Sequence, residues 1–367
     1  MGYNSIGGNI PSCIGELSRL EFLFLADMDL EGALPESMSL LSNVDTLYLD
    51  NNRLSGDIVA AAANMEYLGE IYAEDNRLTG TLEEGSFADR PLLHYLDLSG
   101  NQIQGIVPVS LLENPYLQVL DLHNNQLSGE LPATLEVHYH LEFVALQNNT
   151  IGGALPASLT NWTQLKHLDL SHNALMGPLP DFVADLQTLE YLFLARNAFT
   201  PGPIPSSWTL LSGIQELSLK GCQRTGVVPD YISQWTELRL LDLDDNDLEG
   251  EVPDLSALSE LQFLWLNRNE RLSGELSTLS STLQAVFVDR TNLTAGDGAL
   301  EALCPDVVAA ANCERVACSC CVACCGSNGN DCHDYDQVLS LTPSWEDLYQ
   351  RQKYELGNHT RLDAPQP

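Results

Sequence analysis

The chain has 367 residues, of which 51 are acidic and 16 are basic, giving a formal net charge of −35. Nucleic acids and anionic lipid surfaces are bound through clustered lysines and arginines, so this balance excludes both as partners. Hydrophobic residues make up 44% of the chain, which is enough for a large core and excludes a disordered acidic tail. The sequence contains no apolar run of the roughly 18 residues that a membrane helix needs.

An internal repeat organises most of the chain. The segment LQVLDLHNNQLSGELP, residues 117–132, recurs as LKHLDLSHNALMGPLP at 165–180 and as LRLLDLDDNDLEGEVP at 238–253. A period of this size indicates a solenoid, in which each repeat buries its apolar face only against its neighbours. Successive units are 22 to 25 residues apart and open at Leu20, Val44, Leu68, Leu93, Leu117, Leu141, Leu165, Leu189, Ile214, Leu238, Leu261 and Leu283.

The pattern resembles that of the leucine-rich repeat family, plant-type subclass, over roughly residues 4–295. That subclass reads LxxLxLxxNxLxGxIPxxLxxLxx, and this chain fills its Gly and Pro positions in most units. The Gly position holds Gly32, Gly56, Gly80, Gly105, Gly129, Gly153, Gly177, Gly226, Gly250 and Gly274. The Pro position holds Pro35, Pro108, Pro132, Pro156, Pro180, Pro205, Pro229 and Pro253.

The resemblance implies an α/β fold, a right-handed solenoid of about twelve repeats with a parallel concave β-sheet. LxxLxL predicts a short strand with one buried face, paired with the strand of the next coil. The PxxLxxL stretches predict helical turns on the convex side. The asparagines of the motif should form a ladder that satisfies backbone groups, interrupted at Met28, Cys222 and Thr291. The ladder consists of Asn52, Asn76, Asn101, Asn125, Asn149, Asn173, Asn197, Asn246 and Asn269.

The start of the chain lies inside a repeat. Residues 4–11 have the sequence of the second half of a unit whose strand is absent, and no polar cap precedes them. No basic segment followed by an apolar run is present, so we expect no secretory signal within these residues. We expect a longer product with a signal peptide and further repeats upstream, and therefore a chain whose N-terminal cap is missing.

The non-leucine positions of each strand are expected to face the solvated concave side. Aromatic residues recur there, which predicts either a binding surface or stacking between neighbouring strands. The first six units carry only acids on this face, whereas the last six also carry six basic residues. The predicted ligand-binding residues are Tyr191, Phe193, Arg196, Lys220, Arg239, Trp265, Arg268, Phe287 and Arg290.

Two arginines of this set occupy the eighth position of adjacent units. Arg268 and Arg290 should lie about 5 Å apart, beside Trp265 and Phe287. One hypothesis is a fork for a carboxylate or sulfate group next to an aromatic platform. The alternative is a ladder of ion pairs, with Asp245 on Arg268 and Asp289 beside Arg290.

A cysteine cluster follows the repeats. It consists of Cys304, Cys313, Cys318, Cys320, Cys321, Cys324, Cys325 and Cys332. An even, dense set beside a repeat array favours a disulfide-stapled C-terminal cap in an oxidising compartment over a zinc site, because the C-x2-C pairs overlap at Cys321. Cys13 and Cys222 lie too many coils apart to pair, and we expect both to be small buried residues.

The chain therefore divides into a solenoid over 1–298, a Cys-rich cap over 299–333 and a polar tail over 334–367. One short helix is expected at 342–356, with Pro343 at its first position. Four sequons make Asn148, Asn161, Asn292 and Asn358 candidate glycosylation sites. A glycan on Asn148 would obstruct the concave face.

No motif for catalysis or for a resident metal is present. Residues 242–253 begin like a calcium loop but lack its Gly and Glu, and His138 with His140 reads as surface histidine rather than as a metal site. We therefore expect neither an enzyme nor a cofactor.

The predicted function is recognition of a peptide, protein or glycan ligand by the ectodomain or secreted form of a receptor-like protein, aided by a co-receptor. The alternatives are a structural or adhesive cell-wall component and a secreted glycanase inhibitor. The predicted location is extracellular or at the cell surface, with any membrane contact made through a segment absent from this chain.

Overall fold

The computed structural model describes residues 6–88, 90–276, 279–295, 308–311, 321 and 323–324. Its residues up to Leu175 form one compact unit, unit 1, and those from Met176 onward form a second, unit 2. In both units the predicted architecture is confirmed, with parallel strands on one side and short helical turns on the other. Within the described residues, no helix is long and apolar enough to span a bilayer.

The main sheet of unit 1 has seven parallel strands, one from each coil. The register is in phase, with Leu96 beside Ile71 and Leu120, because equal repeats place equal positions side by side. These leucine-type residues are fully buried and form the core. The strands are Phe22–Phe24, Thr46–Tyr48, Glu70–Tyr72, Tyr95–Asp97, Val119–Asp121, Phe143–Ala145 and His167–Asp169.

Unit 2 repeats this arrangement. Its main-sheet strands are Tyr191–Phe193, Glu216–Ser218, Leu240–Asp242, Phe263–Trp265, Ala285–Phe287, Val308–Ala311 and Ala323–Cys324. The last two belong to the predicted Cys-rich cap, and Val308–Ala311 pairs directly with Ala285–Phe287. The boundaries predicted at 298 and 333 and the helix at 342–356 lie outside the described residues and stay predictions.

Helical turns follow the proline positions. Seven prolines each directly precede a helix, because proline fixes φ and no backbone N–H donor is needed at that position. They are Pro11, Pro35, Pro108, Pro156, Pro180, Pro205 and Pro229. The 3-10 helices are Ser12–Glu16, Glu36–Leu40, Ala157–Asn161, Asp181–Asp185, Ser206–Leu210 and Asp230–Gln234. The α-helices are Ile58–Ala61 and Val109–Leu112.

Short secondary strands follow the main-sheet strands in each coil. In unit 1 they are Glu31–Ala33, Arg53–Asp57, Arg77–Thr79, Thr81–Leu82, Gln104–Gly105, Gln126–Leu127 and Gly152–Gly153. In unit 2 they are Ala198–Phe199, Thr225–Gly226, Asp247–Glu251, Arg271–Leu276 and Asn292–Ala295, and Ala174–Gly177 lies at the division between the units.

The asparagine ladder is confirmed. In the coil of Asn101, Nδ2 donates to the carbonyl oxygens of Ala73 and Leu98, and Oδ1 accepts the backbone N–H of Leu78 at 2.9 Å. The amide thereby satisfies backbone groups of its own and the preceding coil, which could not otherwise be buried. Where the ladder is interrupted, Met28 is buried, while Thr291 Oγ1 donates to the Val288 oxygen and Cys222 Sγ to the Leu194 oxygen.

One coil departs further from the repeat. Arg224 stands where Leu248 stands in the next coil, and it is only 1% exposed. Its Nε donates to the Cys222 oxygen at 2.8 Å, and its Nη2 donates to the Thr200 oxygen at 2.5 Å. A buried guanidinium needs such acceptors, and these carbonyl oxygens belong to its own coil and to the loop of the preceding one.

Candidate functional site

The open face of each unit is the main-sheet surface opposite the leucines, made by positions two, three, five, seven and eight. Its aromatic side chains are largely covered rather than solvated. Tyr48, Tyr72 and Tyr95 are at most 4% exposed, and their rings stack with centroids 4.4 Å and 4.2 Å apart. The prediction that the aromatic columns face solvent is therefore wrong for these three rings, whereas Phe22 is 52% exposed. Neighbouring rings cover each other because adjacent coils place them one strand spacing apart.

The predicted platform in unit 2 is covered in the same way. Trp265 is 7% exposed and Phe287 is 2% exposed, and their rings lie parallel with centroids 6.1 Å apart. Tyr191 is also buried, at 7%, and its hydroxyl donates to Gln215 Oε1 at 3.2 Å. Of the predicted aromatic site residues only Phe193 is half-buried. The stacking alternative thus describes these rings, and their contact with a ligand stays a prediction.

The eighth position has a backbone feature that the sequence pattern does not reveal. In all twelve units that open from Leu20 to Leu283 its residue has a positive φ, between 51° and 63°. For a residue other than glycine this conformation costs roughly 1 kcal/mol. Main-chain hydrogen bonds to the next coil offset that cost. For example, the Arg196 N–H donates to the Lys220 oxygen at 2.7 Å. Arg196, Arg268 and Arg290 therefore all project from a fixed left-handed turn at the edge of the open face.

Two cations share one buried carboxylate in unit 2. The Asp244 side chain is only 4% exposed, and Lys220 Nζ lies 3.0 Å from its Oδ2. Arg268 Nε donates to Asp244 Oδ1 at 2.7 Å, while its Nη2 donates to Oδ2. Such a bidentate pair is strongly directional. Asp242, Asp245 and Asp289 also lie close to these cations, so positive and negative charges are mixed on this part of the open face.

A second ion pair crosses the face beside this network. Arg196 Nη1 lies 3.2 Å from Asp245 Oδ2, with both side chains about two-fifths exposed. The ion-pair alternative had placed Asp245 on Arg268, and this is wrong. Arg268 takes the buried Asp244 instead, since Asp245 begins the left-handed turn and reaches the space over Gly221, which has no side chain.

Burial changes the ionisation of two neighbouring carboxyl groups. Burial raises the pKa of Asp242 to about 6 and that of Asp289 to about 7. Ser218 Oγ donates to Asp242 Oδ2 at 2.8 Å, and this bond opposes the rise. Below pH 6 both carboxyls are largely neutral, which makes the surroundings of Lys220 and Arg268 more positive.

The predicted basic residues thus fall into two groups. Lys220 and Arg268 are half-buried and fixed by Asp244, whereas Arg196, Arg239 and Arg290 are exposed. We name these five residues the basic cluster of unit 2. With three solvent-accessible guanidinium groups on the same open face as this fixed pair, the cluster is able to bind an anionic group.

Sequence reasoning placed other residues less accurately. Cys222 is buried and its pKa is raised to about 12 by burial, but Cys13 is exposed on the short helix Ser12–Glu16, contrary to expectation. His138 is buried rather than on the surface, since its Nε2 donates to the Asn114 oxygen at 2.7 Å. Among the described residues, no group of three or more His, Cys, Asp or Glu side chains is placed to hold a metal ion.

The remaining predicted sites lie partly outside the described residues. Cys321 is disulfide-bonded and Cys324 lies in a main-sheet strand; the cap's other six cysteines are not among the described residues. Asn148 and Asn292 are exposed, and Asn161 is half-buried with its Nδ2 donating to the Leu135 oxygen at 2.6 Å. Asn358 lies beyond the described residues. Glycosylation of all four stays a prediction.

Comparison with known proteins finds repeat proteins of similar sequence and structure. A leucine-rich repeat family model matches residues 66–127 and 140–199. No curated protein matches the sequence. The crystal structure of a TDR receptor is 28% identical, with 83% of this chain and 53% of that chain covered and a TM-score of 0.73. The plant peptide hormone receptor RGFR1, solved in complex with RGF2, is 26% identical, with coverages of 84% and 54% and a TM-score of 0.68.

These similarities cover only part of the receptor chains. The chain spans about half the length of the two receptor chains. A plant ice-binding protein is also similar, with 23% identity, coverages of 69% and 81% and a TM-score of 0.56, which shows a shared fold alone. The same fold therefore carries different functions, and function has to be argued from the residues of the open face.

Proposed function

Because this chain is a leucine-rich repeat protein of the plant type, we propose that it is a non-enzymatic recognition module, whose ligand is a peptide or protein bound on the open face of unit 2. The two similar receptors support this proposal, since RGFR1 was solved with RGF2 bound. A recognition role needs an accessible surface with unequal charge rather than a catalytic constellation, and the basic cluster supplies that surface.

The observation that carries the proposal is the shared carboxylate of Asp244. Lys220 and Arg268 are fixed on it, so neither has to be ordered when a ligand arrives. The single carboxylate of Asp244 holds two cations, and Arg239 and Arg290 add exposed positive charge to the same face. The group that matches this surface is a carboxylate or sulfate on an extended peptide. This keeps the predicted anion site at Arg268 and Arg290, beside the covered rings of Trp265 and Phe287.

The wider context is part of the same proposal. A Cys-rich cap containing the disulfide-bonded Cys321 fits an oxidising compartment, so we place the protein outside the cell or at its surface. A co-receptor would then bind the complex of unit 2 with its ligand. A structural role in the cell wall would need no fixed anion site, and a glycanase inhibitor would require a protein partner of another kind.

Peptide selection on the secreted full-length chain tests the proposal. A random peptide library with free C-terminal carboxylates is selected on the wild type, and the binders are measured on Arg268→Gln/Arg290→Gln. We expect saturable binders whose affinity falls at least about tenfold in this variant, since an ion pair of this kind contributes more than about 1.4 kcal/mol.

Two controls keep the result interpretable. Arg271→Gln removes an exposed arginine of unit 2 that pairs with Asp247 and Glu249, away from the basic cluster, and should leave affinity unchanged. Arg239→Gln/Arg290→Gln removes only exposed cations and leaves Asp244 paired, and an unfolding curve equal to that of the wild type would assign a loss of binding to the lost charges. If the selected peptides bind all variants equally, the proposed ligand site is wrong.

A further inference from the structure

A cavity of about 340 Å³ opens on the helical side of unit 1, away from the main sheet. Its walls include Glu113, Tyr116, Glu136, Val137, Tyr139 and His140. It lies where the repeat loses its helix, since residues 133–140 form no helical turn although Val109–Leu112 and Ala157–Asn161 do so in the neighbouring coils. The cavity is thus a local departure from the repeat and not a feature of every coil.

A buried polar residue, His138, lies at this departure. It occupies the buried position three residues before the next unit opens, where other coils have Leu41, Leu186 or Trp235. Nε2 of His138 donates to the Asn114 oxygen at 2.7 Å, and Nδ1 accepts the Leu141 N–H at 3.1 Å. These bonds fix the loop in an extended form, and the residues on both sides of the buried imidazole are therefore exposed.

Those exposed residues are unusually aromatic for the helical side. Tyr139 is 68% exposed and Tyr116 is 52% exposed. The ring centroids of Tyr116 and His140 are 6.0 Å apart, and His140 is held by its Nδ1, which donates to the Pro115 oxygen at 2.9 Å. Exposed rings on a fixed backbone offer their faces to a ligand at little cost in conformational entropy.

Two carboxylates stand beside these rings. Glu113 Oε1 accepts the backbone N–H of Glu136 at 3.0 Å, which holds the first carboxylate at the cavity, and the exposed Glu136 supplies the second. Residues 91–165 contain no lysine and no arginine, so this stretch has no long cationic side chain of its own to occupy the cavity. Aromatic faces next to carboxylates are the arrangement that attracts an organic cation.

We propose that this cavity, the convex pocket, binds the side chain of an arginine or lysine presented by a protein partner. The cavity lies at the small end of the range for ligand pockets, which suits one long side chain rather than a folded segment. The guanidinium or ammonium group would stack on a tyrosine ring and pair with Glu113 and Glu136. This site is separate from the basic cluster and selects the opposite charge.

A pair of matched peptides tests the proposal on the full chain. The probes are two short capped peptides that differ only in a central arginine or its uncharged isostere citrulline. Ring signals of isotope-labelled tyrosine and histidine are followed by NMR and assigned with single Tyr→Phe variants. We expect saturable shifts of Tyr116, Tyr139 and His140 with the arginine peptide, and shifts at least about threefold weaker with citrulline.

Substitutions decide between a specific site and general attraction to an acidic protein. Tyr116→Ala and Glu136→Gln should each weaken binding of the arginine peptide about three- to tenfold. Tyr67→Ala is the matched control, because Tyr67 holds the same position in another coil and is 55% exposed without this cavity. Equal binding of the two peptides, or equal loss in Tyr67→Ala and Tyr116→Ala, would overturn the proposal. Arg268→Gln/Arg290→Gln should leave it intact.

Discussion

Arg196 and Asp245 pair across an intervening coil, with 3.2 Å between Nη1 and Oδ2, over the bare backbone of Gly221. A Cβ atom on Gly221 would lie 3.4 Å from Arg196 Cδ and 3.7 Å from Asp245 Oδ2. The two side chains therefore meet directly over the backbone of Gly221. The pair holds Arg196 on the open face and partly neutralises it, so Asp245 acts as a competitor for any anionic ligand.

This competition can be measured. Asp245→Asn should raise the affinity of an anionic peptide about two- to fivefold, because Arg196 no longer has to leave a partner, and Arg196→Ala should lower it by a similar factor. Both side chains are about two-fifths exposed, so the free energy of unfolding should change by less than about 1 kcal/mol. Calorimetric titration and thermal unfolding check the two parts. A loss of affinity in both variants would show that the intact ion pair itself is needed for binding.

The raised pKa values of Asp242 and Asp289 predict a dependence of stability on pH. The folded state keeps protons on these carboxyls up to about pH 6 and 7, whereas the unfolded chain releases them near pH 4. Their contribution is therefore fully present below about pH 4 and is lost as pH rises through 6 to 7.

The variant Asp242→Asn/Asp289→Asn mimics the protonated state and should remove this loss. Between pH 5 and pH 8 the wild type should lose roughly 1–3 kcal/mol more unfolding free energy than the variant does. Asp185→Asn, at an exposed position on a short helix, is the matched control and should follow the wild type. Parallel curves for the wild type and the double variant in urea unfolding would refute the assignment.

The lowered pKa of His138, in unit 1, predicts the opposite dependence of stability on pH. Its pKa is lowered, chiefly by burial, so the folded state resists the proton that the unfolded state takes up near pH 6.5. The stability that it contributes is present above that pH and declines as the solution becomes more acidic. His138→Gln should make the decline between pH 7.5 and 5.5 measurably shallower, because glutamine cannot take up the proton in the unfolded state. An unchanged slope in His138→Gln would show that the imidazole does not control it.

The asparagine ladder predicts a large cost at a single position. Asn149 accepts the Leu127 N–H at 2.8 Å and donates to the oxygens of Leu122 and Leu146 at 3.0 Å each. Asn149→Ala would leave these backbone groups buried and unpaired, so we expect a loss of about 2–4 kcal/mol in urea unfolding. Gln126→Ala removes an exposed amide in the preceding coil and should cost less than about 0.5 kcal/mol. Similar losses in the two variants would contradict the role given to the ladder.

The parts of the fold that repeat could be predicted from the sequence. Asn101 and its counterparts recur at one position in successive units, so a single physical role explains them all, and the structure gives them that role. The same holds for the prolines before the short helices. A periodic pattern predicts the features that every coil shares, and the stacking of equal coils then determines how their strands pair.

The parts of the site that depend on two particular neighbours could not be predicted in this way. Strand alternation assigns Tyr95 to the open face, but its burial depends on Tyr72 in the preceding coil. The partner of Arg268 depends on which of two adjacent aspartates lies before the left-handed turn. His138 could have been suspected, because a polar residue at a position that is usually apolar demands a local hydrogen-bond partner.

The most direct test of the recognition role combines two changes in one measurement. The strongest selected peptide is made with a C-terminal carboxylate and with a C-terminal amide, and both are titrated into the wild type and Arg268→Gln/Arg290→Gln. If the basic cluster binds the carboxylate, amidation should cost the wild type at least about tenfold in affinity and the variant almost nothing. Equal losses on amidation in both proteins would contradict binding at the basic cluster.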